Sequence, residues 1–268
     1  MNRRWTWTTT WITGASSGIG AALAREIAGP GRTLVLSGRS TDRLATVAAA
    51  CTEAGARVEQ LPFDLASSDD RRRAINTIES RGIRIDALIN NAGISQRGLA
   101  VDTSLDVGRR LFEIDFFAEV ELSRAVLPGM VDRGNGCLVA VSSIAALAGP
   151  PRRGFYNAAK AAQIRFFDTV RNELTGSGVI VSTTIVGMAR TEISQNSVTA
   201  DGGRYDRLEP NQAGGIPPEQ VAREIIRGVS RGRAVFYTGM TIRSRIMVLL
   251  ARWAPRLLDR ILATGRAA

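Results

Sequence analysis

The sequence predicts an α/β domain of the doubly wound type. It comprises a mostly parallel, seven-stranded sheet with helices on both faces and an amphipathic helical extension near its C-terminal end. Three observations predict it. Short apolar, β-branched runs alternate with segments of helical period along almost the whole chain, the pattern of right-handed strand–helix–strand crossovers. Polar and glycine-rich clusters fall one after another at the C-terminal ends of the strand runs, where open parallel sheets place their ligands. The 268 residues suffice for one substantial core and show no internal repeat or linker, so residues 1–268 read as a single domain.

Composition narrows the chemistry. Among 35 lysines and arginines, Lys160 is the only lysine, and there is no histidine. The formal charge of +10 is carried by arginines scattered from Arg3 to Arg266 in short clusters such as Arg71-Arg72-Arg73. A nucleic-acid footprint is more often a basic stripe with interleaved aromatics, so no nucleic-acid partner is expected. Without histidine, serine–histidine hydrolysis and the usual zinc sites are excluded. Cys51 and Cys137 have neither metal-ligand nor disulfide-framework spacing, so no metal is expected. No apolar run has signal-peptide length or reaches the ~20 residues of a membrane span. The expected location is cytoplasmic. Anionic cofactors, acidic substrates or anionic lipid headgroups are the ligands such charge would favour.

Residues 7–13, rich in Thr, Trp and Ile, suit a buried strand. They run into Gly14-Ala15-Ser16-Ser17-Gly18-Ile19-Gly20 and then a helical pattern with Ala22, Leu23 and Ile27. Strand, glycine turn and helix form the context of a phosphate-binding loop. The glycines let the backbone approach a pyrophosphate, and the helix start offers free N–H groups and a positive dipole end. A second strand, 33–37, ends at Gly38-Arg39. In dinucleotide folds an acid near this point holds the ribose hydroxyls of NAD, whereas an arginine accommodates the 2′-phosphate of NADP. Arg39, with Arg43 a turn further on and no carboxylate before Asp42, favours NADP over NAD.

A helix over about 40–54 leads to a strand at 57–63, which ends in Asp64-Leu65. A helix over about 68–80 leads to a strand at 85–89 ending in Asn90-Asn91-Ala92-Gly93. Residues 103–131 are helical, with an end expected near Pro128-Gly129. The fifth strand, 137–141, ends at Ser142-Ser143. The helix at 155–174 carries Tyr156 and Lys160, which at i and i+4 share a face. Alone, that pair reads as an ordinary helix with a core tyrosine and a solvated lysine. The sixth strand, 179–185, ends at Val186-Gly187 and then Arg190-Thr191. Residues 192–216 are polar and aperiodic, the profile of a functional lid. A helix opened by Pro217-Pro218-Glu219 and a strand at 234–237 complete the sheet. The extension, about 241–264, sets Ile242, Ile246, Leu249, Leu250, Trp253, Leu257 and Ile261 at helical steps against Arg243, Arg245, Arg252, Arg256 and Arg260, with a kink expected at Pro255.

From about residue 7 to residue 240 the chain resembles the short-chain dehydrogenase/reductase family, whose fold is of the Rossmann type. Thr13-Gly14-x-x-x-Gly18-Ile19-Gly20 matches the family's cofactor loop, with Ser16 and Ser17 inside it. Asp64, followed by Leu65, matches its adenine-contacting acid, and Asn90-Asn91-Ala92-Gly93 its N-N-A-G element. Ser143, Tyr156 and Lys160 match its catalytic residues, including the interval from serine to tyrosine.

The resemblance implies hydride transfer between NADP(H) and a carbonyl or alcohol substrate, with Tyr156 as general acid or base. A cation near 4 Å is worth up to about 4 kcal/mol to an anion at an effective dielectric near 20, which favours the phenolate. By resemblance Tyr156 and Lys160 also contact the cofactor. Lys160 binds the nicotinamide ribose and joins a proton relay, for which a compact ammonium suits better than a planar fork. Ser143 would donate to the substrate oxygen. Asn91, Ala92, Gly93, Gly187 and Thr191 would line the cofactor.

The chain departs from the family pattern at two places. Asp115 stands where the family usually has an Asn that holds a relay water. It either substitutes sterically or, as a carboxylate, favours the charged lysine, and Asp115→Asn is expected to keep or raise turnover. Val186 replaces a usual proline before Gly187, freeing φ at the start of the lid.

The extension resembles tails of family members that handle lipophilic ketones and alcohols. It would lie in a membrane interface or pack its stripe on the domain or a second subunit, the commoner use of such a face. A lipophilic carbonyl substrate is therefore expected. The family's usual assembly, which pairs the middle-helix region and the Tyr-bearing helix across a two-fold axis, implies a homodimer or homotetramer. A nucleotide-binding sensor or scaffold with little turnover is the alternative function, kept open by Asp115.

Overall fold

The computed structural model describes residues 5–207, 209 and 213–264. Of the predicted domain and lid, residues 1–4, 208, 210–212 and 265–268 lie outside the described residues.

Seven strands form one sheet: β1 (Thr9–Ile12), β2 (Thr33–Leu36), β3 (Arg57–Gln60), β4 (Ala87–Asn90), β6 (Gly136–Ser143), β7 (Val179–Val186) and β9 (Val235–Thr238). Their order is β3-β2-β1-β4-β6-β7-β9, and every pairing is parallel. The chain winds outward from β1 to β3, then returns to the other side of β1 as β4. The crevice beyond the β1 and β4 C-termini is thus the topological switch point, the ligand position of this architecture.

Alternation along the strands sorts side chains into two layers. Ile12, Leu34, Leu36, Ile89 and Val139 pack against α1 (Gly18–Ile27), α2 (Thr41–Glu53) and α7 (Pro218–Ser230). Trp11, Val35, Leu88, Leu138 and Ala140 face α3 (Ser68–Ser80), α5 (Ala118–Asp132) and α6 (Gly154–Glu173). Helix starts follow local chemistry. Ser40 Oγ accepts from Arg43 N–H to cap α2, and Ser67 Oγ from Asp70 N–H to cap α3. Ser104 caps α4 (Leu105–Phe112) in the same way. At the start of α1 no side chain caps the N-terminus, which leaves first-turn N–H groups for a ligand.

The long middle helix differs from expectation in two ways. It runs through Pro128 to Asp132 instead of ending near Pro128-Gly129. Pro128 removes one N–H bond, but Met130 beyond it is fully buried in the second layer, and that packing carries the helix on. Between α4 and α5, Glu113–Phe117 forms a π-helical turn, closed by Ala118 N–H on the Glu113 carbonyl. Such bulges shift the register of every following side chain and recur at functional sites.

The lid is more ordered than its composition suggested. Val198–Thr199 forms a strand, β8, pairing in parallel with β5 (Gln96–Arg97) just beyond the N-N-A-G element.

The extension forms α8 (Ile242–Trp253) and α9 (Pro255–Thr264), broken at Ala254 before the proline. Ser244 is buried, and Met247 and Val248 pack on Ile144, Ile164 and Ile185. At about 100° per residue, Ile242, Ile246, Leu249 and Trp253 lie on the opposite side of α8. All four are exposed, as are Leu257 and Ile261 on α9. The stripe therefore does not pack on its own domain. No helix among the described residues is long and apolar enough to cross a membrane.

Candidate active site

The switch-point crevice is built by short contacts between the glycine turn and the N-N-A-G element. Thr13 Oγ1 accepts from the backbone N–H of Asn91 at 3.0 Å and of Ala92 at 3.1 Å. Asn91 Nδ2 returns a bond to the Thr13 carbonyl at 2.9 Å. Gly14 has φ 65°, and a Cβ there would press on the Ala92 backbone, so glycine meets both a conformational and a spatial demand. A Cβ on Gly20 would run into the Gly14 carbonyl and Asn91. These glycines let the turn and the N-N-A-G element close up backbone to backbone, forming a cradle against the uncapped start of α1. It fits the pyrophosphate of a dinucleotide.

The neighbouring predicted residues converge on it. Gly38 packs on Ser16, so Arg39 emerges exposed beside the loop at the end of β2. Thr191 reaches back over Gly18, where a Cβ would be 3.2 Å from its methyl group. Ser17 lies at the α1 N-cap position in extended conformation. Ile19, just inside α1, is partly buried, with its side chain packed on the first layer. Asp64 accepts from Ala66 N–H at 3.0 Å, shaping the turn after β3, and Leu65 packs near Ile94 and Leu111. Gly187 lies at the end of β7, its N–H bonded to Thr238 O at 2.9 Å. Arg43, the second arginine near the predicted phosphate position, is bound to Glu192 at 2.7 Å and so ties α2 to the lid.

Ser143 ends β6, and its Oγ accepts from Ala145 N–H at 3.2 Å. Tyr156 and Lys160 are both buried on α6. Tyr156 belongs to a small apolar cluster with Ile94, Ala145 and, from lid strand β8, Val198. Lys160 Nζ stands 3.5 Å from Asp115 Oδ1, whose carboxylate also accepts from Ile94 N–H at 3.1 Å. A Cβ on Gly93 would overlap Asp115 Oδ1 and lie 3.4 Å from Lys160 Nζ, so this glycine lets the pair close up beneath the crevice.

Two features escaped sequence reasoning. Glu119 is fully enclosed beside Lys160, with Oε1 3.3 Å from Nζ, while Gln163 Nε2 donates to its other oxygen. Burial opposes the ammonium of Lys160, but the Glu119 and Asp115 carboxylates outweigh it and raise its pKa above the ordinary lysine value. Burial likewise pushes Asp115 up to about 6 and Glu119 up to about 7 against the opposing pull of Lys160. A glutamate amid the apolar run Phe116-Phe117-Ala118-Glu119-Val120, four residues after Asp115, was the available signal. The second feature is a lid anchor. Glu209 binds Arg97 through both oxygens, at 2.6 and 2.9 Å, and Arg153 at 2.6 Å, three residues before Tyr156.

A glycine cradle at the switch point of a parallel sheet, beside a buried tyrosine–lysine pair, defines a dinucleotide-dependent α/β enzyme fold. The profile of the short chain dehydrogenase family matches residues 8–202. The chain is 37% identical over 260 residues to dehydrogenase/reductase SDR family member 7B of Rattus norvegicus, covering 94% of this chain and 79% of that one. It is 40% identical over 196 residues to dehydrogenase/reductase SDR family member 7 of Homo sapiens, covering 71% and 58%. Among solved structures it resembles a short-chain dehydrogenase from Sphingobium yanoikuyae in complex with NADPH, at TM-score 0.77 and 31% identity over 90% of this chain and 92% of that one. The chain belongs to the short-chain dehydrogenase/reductase family, a family of oxidoreductases using a nicotinamide cofactor.

Proposed function

We propose that this protein transfers hydride between NADP(H) and a lipophilic carbonyl or alcohol substrate, with Tyr156 as general acid and base. The observation that carries the reading is the burial of Tyr156 and Lys160 along one helix that meets Gly93 of the glycine-rich crevice. When bound, the cofactor supplies or accepts the hydride. In reduction, Tyr156 Oη gives its proton to the substrate oxygen and Ser143 Oγ donates a hydrogen bond to it. Lys160 favours the negative charge left on the phenol oxygen. The α1 N-terminus and the cradle of Gly14, Gly18 and Gly20 would hold the pyrophosphate, with Asn91, Ala92, Gly187 and Thr191 along the cofactor's length. The lid strand beside Tyr156 keeps water from the reacting oxygen.

Arg39 supports NADP over NAD. A hydrogen bond to a charged group is worth about 1.5–3 kcal/mol, so Arg39→Ala is expected to weaken NADPH binding by roughly tenfold or more while leaving NADH nearly unchanged. Titration of both nucleotides into both proteins checks this. Tighter NADH than NADPH binding by the unchanged protein would overturn the assignment. Screening carbonyl compounds for oxidation of the bound nucleotide tests the reaction. Inertness towards all of them, with nucleotide bound, would favour a sensor or scaffold.

The apolar cluster around Tyr156 and the outward stripe of α8 and α9 support a lipophilic substrate met at a membrane surface. Arginines 243, 245 and 252 flank the stripe on both sides of α8, the arrangement of a helix lying in an anionic interface. Sedimentation with anionic vesicles is expected to be salt-sensitive and weakened by Trp253→Ser. No salt-sensitive binding would remove the membrane from the account and leave the stripe to a second copy of the chain. Phe117, exposed on the middle helix, supports a homodimer or homotetramer through that region.

A further inference from the structure

Lys160 is enclosed. Its ammonium meets Glu119 Oε1 at 3.3 Å, the Val141 carbonyl at 3.4 Å and Asp115 Oδ1 at 3.5 Å, and the three side chains are each at most 4% exposed. One cation against two carboxylates leaves a net negative charge in a cluster almost wholly removed from the surface, an arrangement that strongly favours an added proton. Among the described residues, no other group facing Glu119 balances it. From α6 come Tyr156, which faces Lys160, and Gln163, which donates to Glu119. The π turn contributes Asp115, and β6 a carbonyl. On β4, Asn90 is bound to Ser123 Oγ at 3.0 Å. Arg71 on α3 reaches the middle helix but pairs with Glu113 and Glu121, and Glu121 lies about 200° round from Glu119. Arg153 is held by Glu209. Asp115 Oδ2, buried within the same cluster, has no donor among the described residues.

We propose that Glu119 is a pH-dependent positioning residue for Lys160: ionised, it draws the ammonium back among the buried acids, and protonated, it releases it towards the nucleotide, so that nucleotide binding takes up one proton. The burial of Glu119 places this change near neutrality. The balance is simple: a carboxylate gains a proton from solvent as the ammonium exchanges its hydrogen bond. The inference rests on the reading of Lys160 as a nucleotide-binding residue.

Calorimetric titration of the full chain with NADPH tests it, from about pH 6 to about pH 8 and in buffers of different ionisation enthalpy. Affinity is expected to fall by up to about tenfold per pH unit above the Glu119 titration, with uptake of close to one proton. Glu119→Gln is expected to lose both slope and uptake, and to bind NADPH at the higher pH at least as tightly as the unchanged protein. The 2′-phosphate of the ligand titrates identically in both, so the comparison isolates Glu119. Asp115→Asn, which removes a like charge that raises Glu119, is expected to move the onset of the slope to lower pH. This arm serves if Glu119→Gln does not fold. An unchanged slope in Glu119→Gln, or an unchanged onset in Asp115→Asn, overturns the proposal. pH-independent binding of NADPH to the unchanged protein overturns it while sparing the nucleotide reading. Failure of the folded protein to bind NADPH or NADH at any pH overturns both.

Discussion

Tyr156→Phe is expected to lower turnover by about 10²–10⁴-fold, the usual contribution of a positioned general acid or base, while NADPH affinity changes by no more than about twofold. The phenol oxygen is the one atom removed, and the ring keeps its place beside Ile94, Ala145 and Val198. The fold is therefore expected to be unaffected. Steady-state rates beside a fluorescence titration of the bound nucleotide separate the two quantities. A variant that kept most of its turnover would remove Tyr156 from the proton-transfer step. Loss of nucleotide binding in equal measure would make the residue a binding group instead.

Lys160→Met carries the other large effect, and it falls on stability as well as activity. The substitution keeps the length of the side chain but leaves Asp115 and Glu119 buried without a counter-ion. Breaking a buried ion pair from one side costs about 3–5 kcal/mol, enough to threaten a fold of ordinary stability. The pH dependence has a definite sign. Folded-state values of about 6 for Asp115 and about 7 for Glu119 exceed the ordinary values of 3.8 and 4.5. The folded protein therefore holds more protons than the unfolded chain between these limits, and this contribution is lost as pH rises through the folded values. Removal of Lys160 raises both acids further, so the variant is expected to be closest to the unchanged protein near pH 5 and to lose most above pH 7. Denaturant melts across that range check it. A deficit independent of pH would mean that the lysine stem, not its charge, carries the stabilisation.

The sequence announced the sheet and its rim because both are written in local signals. Short runs rich in β-branched and apolar residues, such as 33–37 and 179–185, suit strands by length and composition, and Gly14, Gly18 and Gly20 punctuate the first turn. Ser143 stood out at the end of a strand run, whereas Tyr156 and Lys160, on one face of a helix, read as a site only through the family resemblance. Other features depended on packing that no local window contains. The helix passes Pro128 because Met130 has a buried place waiting beyond it. Glu119 turns inward beside Lys160 after a π turn shifts the register, and a straight 3.6-residue pattern does not foresee that bulge. The lid looked aperiodic because its order comes from two residues of strand and an ion cluster, Glu209 with Arg97 and Arg153, joining distant positions. The stripe of the extension was visible at once, but only the structure shows it turned away from the domain.

The central claim, that this crevice carries out hydride transfer to a carbonyl carbon, is tested most directly by following the transferred atom. NADPH carrying deuterium at the nicotinamide C4 position would be incubated with the protein and a panel of lipophilic ketones and aldehydes, and the products read by mass spectrometry and NMR. The account predicts deuterium on the carbinol carbon from one face of C4, and incorporation about 10²–10⁴-fold slower when Tyr156→Phe replaces the protein. Bound NADPH that stays unoxidised with every carbonyl compound, or alcohol formed without deuterium at that carbon, would contradict it.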